Sequence, residues 1–79
     1  RKDKIQLADV DGDAILQKAE SVYKDYNPDT TDGVKIDFED GWVHLRKSNT
    51  EPIIRVYSEG TTAKKAKELA EKVVQSVQG

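Results

Sequence analysis

Residues 32–46, DGVKIDFEDGWVHLR, alternate with a period of two on both sides of a turn, and this constrains the chain more than any other stretch. Val34, Ile36 and Phe38 fall on one side and Lys35, Asp37 and Glu39 on the other; past the turn Val43 and Leu45 are apolar and His44 and Arg46 polar. Only a β-strand repeats every two residues, so the stretch predicts an antiparallel hairpin with one buried and one wet face. Asp40-Gly41 reads as its two-residue turn, since these types tolerate the positive φ that such turns need. That turn sets Phe38 opposite Val43, Ile36 opposite Leu45 and Asp37 opposite His44, apolar against apolar and polar against polar. A lone hairpin is marginal in water, so the rest of the chain must cover the apolar face.

Residues 4–8, KIQLA, form a short alternating segment that predicts a first strand. From Asp13 to Tyr26 the period changes: Ile15, Leu16, Ala19, Val22, Tyr23 and Tyr26 recur every three or four residues, the stripe of a helix capped by Asp11 or Asp13. Asn27-Pro28 stops that helix, and PDTTDG at 28–33 is a polar loop before the hairpin. Residues 53–59, IIRVYSE, predict a further strand closed by Gly60. Thr61 or Thr62 then caps a last helix with Ala66, Leu69, Ala70, Val73 and Val77 as its apolar stripe. On its wet side Lys64 with Glu68, Lys67 with Glu71 and Glu68 with Lys72 stand four residues apart. The order β-α-β-β-β-α predicts an α+β fold, a small antiparallel four-stranded sheet with both helices packed on one face. At 79 residues this is a single domain over 1–79, with a modest core. A chain that begins at Arg1 without methionine and stops at Gly79 reads as a piece excised from a longer, multi-domain one.

Several function classes fall away. No apolar run approaches the roughly 18 residues that cross a bilayer, so no membrane partner is expected. Thirteen Lys and Arg against fifteen Asp and Glu leave a net charge of −2, which argues against a nucleic-acid partner. The absence of cysteine removes disulfides and thiolate chemistry and makes the reducing cytoplasm the expected location.

The polar loop between the later strands is the best candidate for chemistry. In RKSNTEPIIR, Arg46 and Arg55 flank a turn holding Ser48, Asn49 and Thr50. Guanidinium forks, hydroxyls, an amide and turn backbone amides converging on one hollow would make an anion receptor, most naturally for phosphate. Pro52 stiffens the far side of the loop by fixing its own φ. The plainer alternative is a polar turn with its arginines in solvent. Asp9, Asp11 and Asp13 begin like a metal loop, but residues 14–20 are the apolar start of a helix, which makes them caps. His44, the one imidazole, reads as a cross-strand partner on the Asp37 side of the hairpin rather than as a base. Trp42 and Tyr57 read as edges of the core rather than a platform for a ring.

RKSNTEPIIRVYSEG resembles the phosphate-binding loop in the C-terminal domain of the α-D-phosphohexomutases, the phosphoglucomutase and phosphomannomutase family, and the preceding DGVKIDFEDGWVHLR is similar to that family's hairpin. The resemblance implies the TBP-like fold of that family's fourth domain. It also implies an intramolecular phosphoryl transfer on hexose phosphates through a bisphosphorylated sugar. In it a phosphoserine elsewhere does the chemistry, and this domain holds the phosphate not being transferred and closes the cleft. By position, Arg46, Ser48, Asn49 and Thr50 would contact that phosphate; Glu51, whose carboxylate would repel it, would orient an arginine, and Arg55 matches the motif in a supporting place. Lys47 stands where many members have proline, which leaves the start of the loop less constrained. The phosphoserine loop, the aspartate-rich magnesium loop and the sugar-recognition loop have no counterpart in these residues. The implied partners are therefore a phosphosugar and the remaining domains of a parent enzyme. The implied Mg2+ would be bound in another domain, and this one holds neither catalytic nor metal-binding residues.

A second reading drops the first strand. The remaining α-β-β-β-α is the order of double-stranded-RNA-binding domains, and AKKAK at 63–67 is similar to the lysines that open their last helix. The lysine spacing differs by one residue, and Glu68 and Glu71 share that helix. A protein-interaction domain is the third.

Overall fold

A computed structural model describes residues 1–7, 11–48 and 51–78. In chain order these form β1 (Lys2–Gln6), α1 (Gly12–Val22), one 3-10 turn (Lys24–Tyr26), β2 (Val34–Phe38), β3 (Gly41–Lys47), β4 (Ile53–Gly60) and α2 (Ala63–Gln78). The four strands make one sheet in the order β1-β4-β3-β2, antiparallel throughout. Both helices pack on one face, so the α+β architecture read from the sequence is the one observed.

The alternation in each strand decides which face the helices cover. Ile5, Ile36, Val43, Leu45, Ile54 and Val56 are buried and join Ile15, Ala19 and Tyr23 of the α1 segment and Leu69, Ala70, Val73 and Val77 of α2 in one core. Burying an aliphatic side chain stabilises by about 1.5–3 kcal/mol, and this cluster is the main source of stability available to so short a chain. Each helix starts at a side-chain cap. The Asp11 carboxylate accepts the Asp13 amide at 3.0 Å, and the Thr62 hydroxyl accepts the Lys65 amide at 3.1 Å. A 2.9 Å hydrogen bond between the Tyr23 hydroxyl and Ser76 Oγ ties the end of α1 to α2.

Several sequence expectations are corrected. The hairpin turn is Glu39-Asp40, not Asp40-Gly41, and the register is Phe38 opposite Gly41, Ile36 opposite Val43 and Val34 opposite Leu45. A slip of two residues preserves every inward and outward assignment, so apolar matching alone does not distinguish the two registers. Gly41 has a different use: a Cβ there would lie 2.0 Å from the Glu59 carbonyl oxygen, so only glycine lets β4 pass this closely. His44 consequently faces Lys35, and Trp42 faces Asp37. Trp42 and Tyr57 are half-exposed on the open face of the sheet rather than at the core edge. The first strand runs from Lys2 to Gln6 rather than over 4–8. The first helix stops at Val22, which is exposed. The 3-10 turn follows, and Asn27 in the left-handed region at φ 51° ends the segment. Tyr26 is half-exposed and packs edgewise on Tyr23 and at a tilt on Phe38.

Candidate functional site

The helices leave the opposite face of the sheet uncovered, and the register decides what stands there. Arg46 on β3 lies directly across from Arg55 on β4, and Arg55 lies directly across from Lys4 on β1. Three cationic side chains thus form a row across adjacent strands, at the end of the sheet from which the 48–52 loop springs. The next row is Lys2, Tyr57, His44 and Lys35. Like charges placed opposite each other in a sheet are unfavourable, so the arrangement needs counter-charge. Asp32 Oδ2 lies 3.1 Å from Arg46 Nη2, and Glu51 Oε1 lies 3.6 Å from Arg55 Nη2. Both pairs are about half exposed, a setting in which an ion pair contributes about 0–1 kcal/mol.

The loop's described residues are held by its own backbone. The Ser48 amide donates to the Ile53 carbonyl at 3.1 Å, the Ile53 amide to the Glu51 carbonyl at 2.8 Å, and the Glu51 amide to Ser48 Oγ at 3.3 Å. The Leu7 amide donates to the Pro52 carbonyl at 2.9 Å, fixing the far side of the loop to the chain beyond β1. Lys47, read from sequence as a weak point, reaches across to α1, where its ammonium lies 3.3 Å from Asp13 Oδ1. The near side therefore carries an exposed charge pair to α1. Of the candidate residues, Arg46, Ser48, Glu51 and Arg55 are thus brought to one end of the sheet. Asn49 and Thr50, together with Asp9, lie outside the described residues.

Sequence reading missed Asp32 and Lys4. Alternation carried back from β2 would turn Asp32 toward the core side. Gly33 breaks the alternation with a left-handed φ of 74°, a conformation that costs other L-residues about 1–2 kcal/mol. The Asp32-Gly33 dipeptide is itself a turn signal, and it was the available clue. The loop before it is also tied down. Asp29 and Lys35 exchange two backbone hydrogen bonds of 2.8 Å. The Asp29 carboxylate accepts the Thr31 amide at 2.9 Å, and this bond with its Thr31 side-chain counterpart holds the carboxyl below its ordinary pKa. His44 Nε2 donates to the Asp32 carbonyl, which assigns the imidazole a structural place beside the site.

Other features are less suggestive of chemistry. Among the described residues no group of three or more His, Asp and Glu side chains converges to hold a metal, and no helix is long and apolar enough to cross a membrane. Lys65, one of the lysines on which the RNA reading depends, lies 3.3 Å from Asp40 and 3.7 Å from Glu68; the Asp40 hydrogen bond, foremost, raises its pKa. Glu68 thus pairs with Lys65 rather than Lys64, while Lys67 pairs with Glu71 at 3.9 Å as its spacing predicts. Trp42 donates from its indole to Glu59 at 3.1 Å and carries the Lys35 ammonium over its ring, so both of its recognition surfaces are engaged.

Comparison with known proteins identifies the family of this chain. The model of the phosphoglucomutase/phosphomannomutase C-terminal domain matches residues 3–76, nearly the whole chain. The chain belongs to this family. Among curated relatives, a phosphoglucomutase/phosphomannomutase of Thermococcus kodakarensis is 52% identical over 66 residues, covering 78% of the chain and 14% of the relative. A phosphoglucosamine mutase of Methanocaldococcus jannaschii is 44% identical over 63 residues, covering 80% and 14%. A probable phosphoglucosamine mutase of Methanothermobacter thermautotrophicus is 36% identical over 77 residues, covering 90% and 17%. The chain therefore spans a small fraction of these mutases, whose remaining length supplies other domains.

Proposed function

We propose that this phosphohexomutase C-terminal domain grips the phosphate of a hexose phosphate that is not being transferred, and closes the active-site cleft of a larger cytoplasmic mutase over it. Arg46, Ser48, Asn49 and Thr50 contact that phosphate; Arg55 adds positive potential from the neighbouring strand, and Glu51 holds Arg55. The observation that carries this reading is the placement of Arg46 opposite Arg55, beside a loop whose described ends are hydrogen-bonded to each other and to the chain beyond β1. The chemistry asked of the domain is electrostatic: donors fixed in advance by the fold meet a doubly charged oxyanion, and no proton has to move. The phosphoserine and the magnesium ion implied by the family resemblance belong to other domains, and nothing in this one needs them to bind phosphate.

The relatives' names differ in their sugars, glucose or mannose in one and glucosamine in another, yet this domain is 52% and 44% identical to theirs. What those substrates share is the phosphate. The sugar itself is therefore read elsewhere, and this domain supplies a grip that works in either orientation of a bisphosphorylated intermediate.

Magnitudes say that the domain does not act alone. A charge-assisted hydrogen bond nets about 1.5–3 kcal/mol, while association costs on the order of 4–15 kcal/mol before any gain. Two or three contacts leave millimolar or weaker phosphosugar binding by the 79-residue chain, and no mutase turnover. A micromolar dissociation constant in an NMR titration would contradict this. In the full-length mutase, Arg46→Ala raises KM for the phosphosugar by on the order of ten-fold or more, the equivalent of one charge-assisted contact. Steady-state kinetics read it, and an unchanged kcat/KM would remove Arg46 from the site.

A further inference from the structure

We infer that Asp32 is a positioning residue for phosphate capture: it holds the Arg46 guanidinium in the orientation that receives the anion. The inference rests on the phosphate-gripping reading above and adds a residue to it from outside the 46–55 segment.

Three observations carry it. Asp32 Oδ2 meets Arg46 at Nη2, 3.1 Å away, so one corner of the guanidinium is held while its other donors stay available for a bidentate contact. The loop that presents Asp32 is fixed by more bonds than a connection of this length needs. Asp29 and Lys35 exchange backbone hydrogen bonds, Asp29 caps Thr31, and His44 donates to the carbonyl of Asp32 itself. Gly33 lies against β3 where any side chain would collide: a Cβ added there would stand 2.1 Å from the Leu45 carbonyl oxygen and 3.3 Å from Arg46 Cα. Glycine there sets the close approach and clears the space beside Arg46. A long flexible arginine loses rotamer freedom on binding an anion, and a partner that has already ordered it reduces that loss.

The carboxylate also repels a phosphate, so the sign of its net effect is the test. At an exposed pair the repulsion is damped by solvent, whereas the ordering of Arg46 is carried into every encounter. The expected outcome of Asp32→Asn in the full-length mutase is a rise in KM of about three- to five-fold with kcat nearly unchanged, the size of one exposed ion pair. The assay offers glucose 1-phosphate, mannose 1-phosphate and glucosamine 1-phosphate in turn and follows whichever turns over. Asp32→Glu restores most of the loss. The decisive arm is the double variant: in an Arg46→Ala background, Asp32→Asn adds nothing, because its partner is gone. A KM that stays level or falls on Asp32→Asn, while Arg46→Ala raises it, overturns this inference and leaves the phosphate reading standing. An undiminished effect of Asp32→Asn in the Arg46→Ala background also overturns it, by showing a general effect on the fold. A KM insensitive to Arg46→Ala sinks both.

Discussion

Replacing Gly33 by alanine tests the fold and the site together. Gly33 has φ 74°, where an L-alanine pays about 1–2 kcal/mol relative to its relaxed regions. Its Cβ would also stand 2.1 Å from the Leu45 carbonyl oxygen, a contact no structure tolerates against backbone. The start of β2 must therefore move away from β3 by roughly 1 Å or more, given ordinary contact distances. That movement breaks or lengthens the Val34–Leu45 pairing and the hydrogen bond from His44 to the Asp32 carbonyl, each worth about 1 kcal/mol. The expected loss is about 3–4 kcal/mol. A chain of 79 residues holds roughly 4–12 kcal/mol in all, so a large share of its stability is at stake. Thermal unfolding followed by circular dichroism should drop by about 15 °C or more. A chemically synthesised chain with D-alanine at position 33 is the control, because a positive φ is the relaxed region for a D-residue. It should recover most of the loss, because the D-configuration relieves the positive φ and turns the methyl away from the Leu45 carbonyl. An L-alanine variant that melts within about 3 °C of the parent would refute the reasoning, since neither the strain nor the collision could then be real.

Two further perturbations probe other parts of the molecule. Ser58 is 3% exposed on the core side of β4, and its hydroxyl has no hydrogen-bond partner among the described residues, so Ser58→Ala should stabilise the chain by about 1 kcal/mol, read as a higher melting temperature; a loss would reveal a hidden partner. Asp29 has its pKa lowered in the folded state by the Thr31 amide, so its contribution is fully present above the ordinary carboxylate value of 3.8 and disappears as pH falls through the lower, folded value. Hydrogen exchange at the Thr31 amide should accelerate in that acid window relative to the core amides and stay flat if the bond is absent.

How much of this was legible in the sequence follows from what each pattern depends on. The stripe of α2 was read residue for residue, Ala66, Leu69, Ala70, Val73 and Val77 all being buried, because a helical face depends only on spacing within one segment. The hairpin faces were legible for the same reason, whereas its register was not. Period-two alternation is unchanged by a slip of two, and the turn signal at Asp40-Gly41 pointed to the wrong pair because Gly41 answers to β4 rather than to the turn. Trp42 and Tyr57 were read as core edges because they are aromatic, although Trp42 shares the parity of His44 and Arg46, and Tyr57 that of Arg55, which puts both on the open face. Lys65 joined Asp40 as well as its helical neighbour, since long-range charge partners do not announce themselves in spacing. The loop residues were legible as a group from their types, but the row Lys4, Arg55, Arg46 required two registers to be known at once.

That row also distinguishes a site from a solvated surface. A chain with net charge −2 has no general shortage of acidic residues, and stability alone would set Glu or Thr across from an arginine on an exposed sheet. Instead two guanidinium groups and an ammonium stand side by side on adjacent strands, and the carboxylates that offset them, Asp32 and Glu51, come from the loops flanking the row rather than from the sheet. Strands fix where the two arginines are anchored, and the tied 29–35 loop sets Asp32 beside one of them, so that the long Arg46 side chain is ordered before an anion arrives. The sheet therefore carries the positive charge, and the negative charge that orders it is supplied from its flanks. A grip on a phosphate uses this arrangement, cations side by side and ordered in advance by carboxylates at the edge of the row; a surface selected only for solubility does not require it.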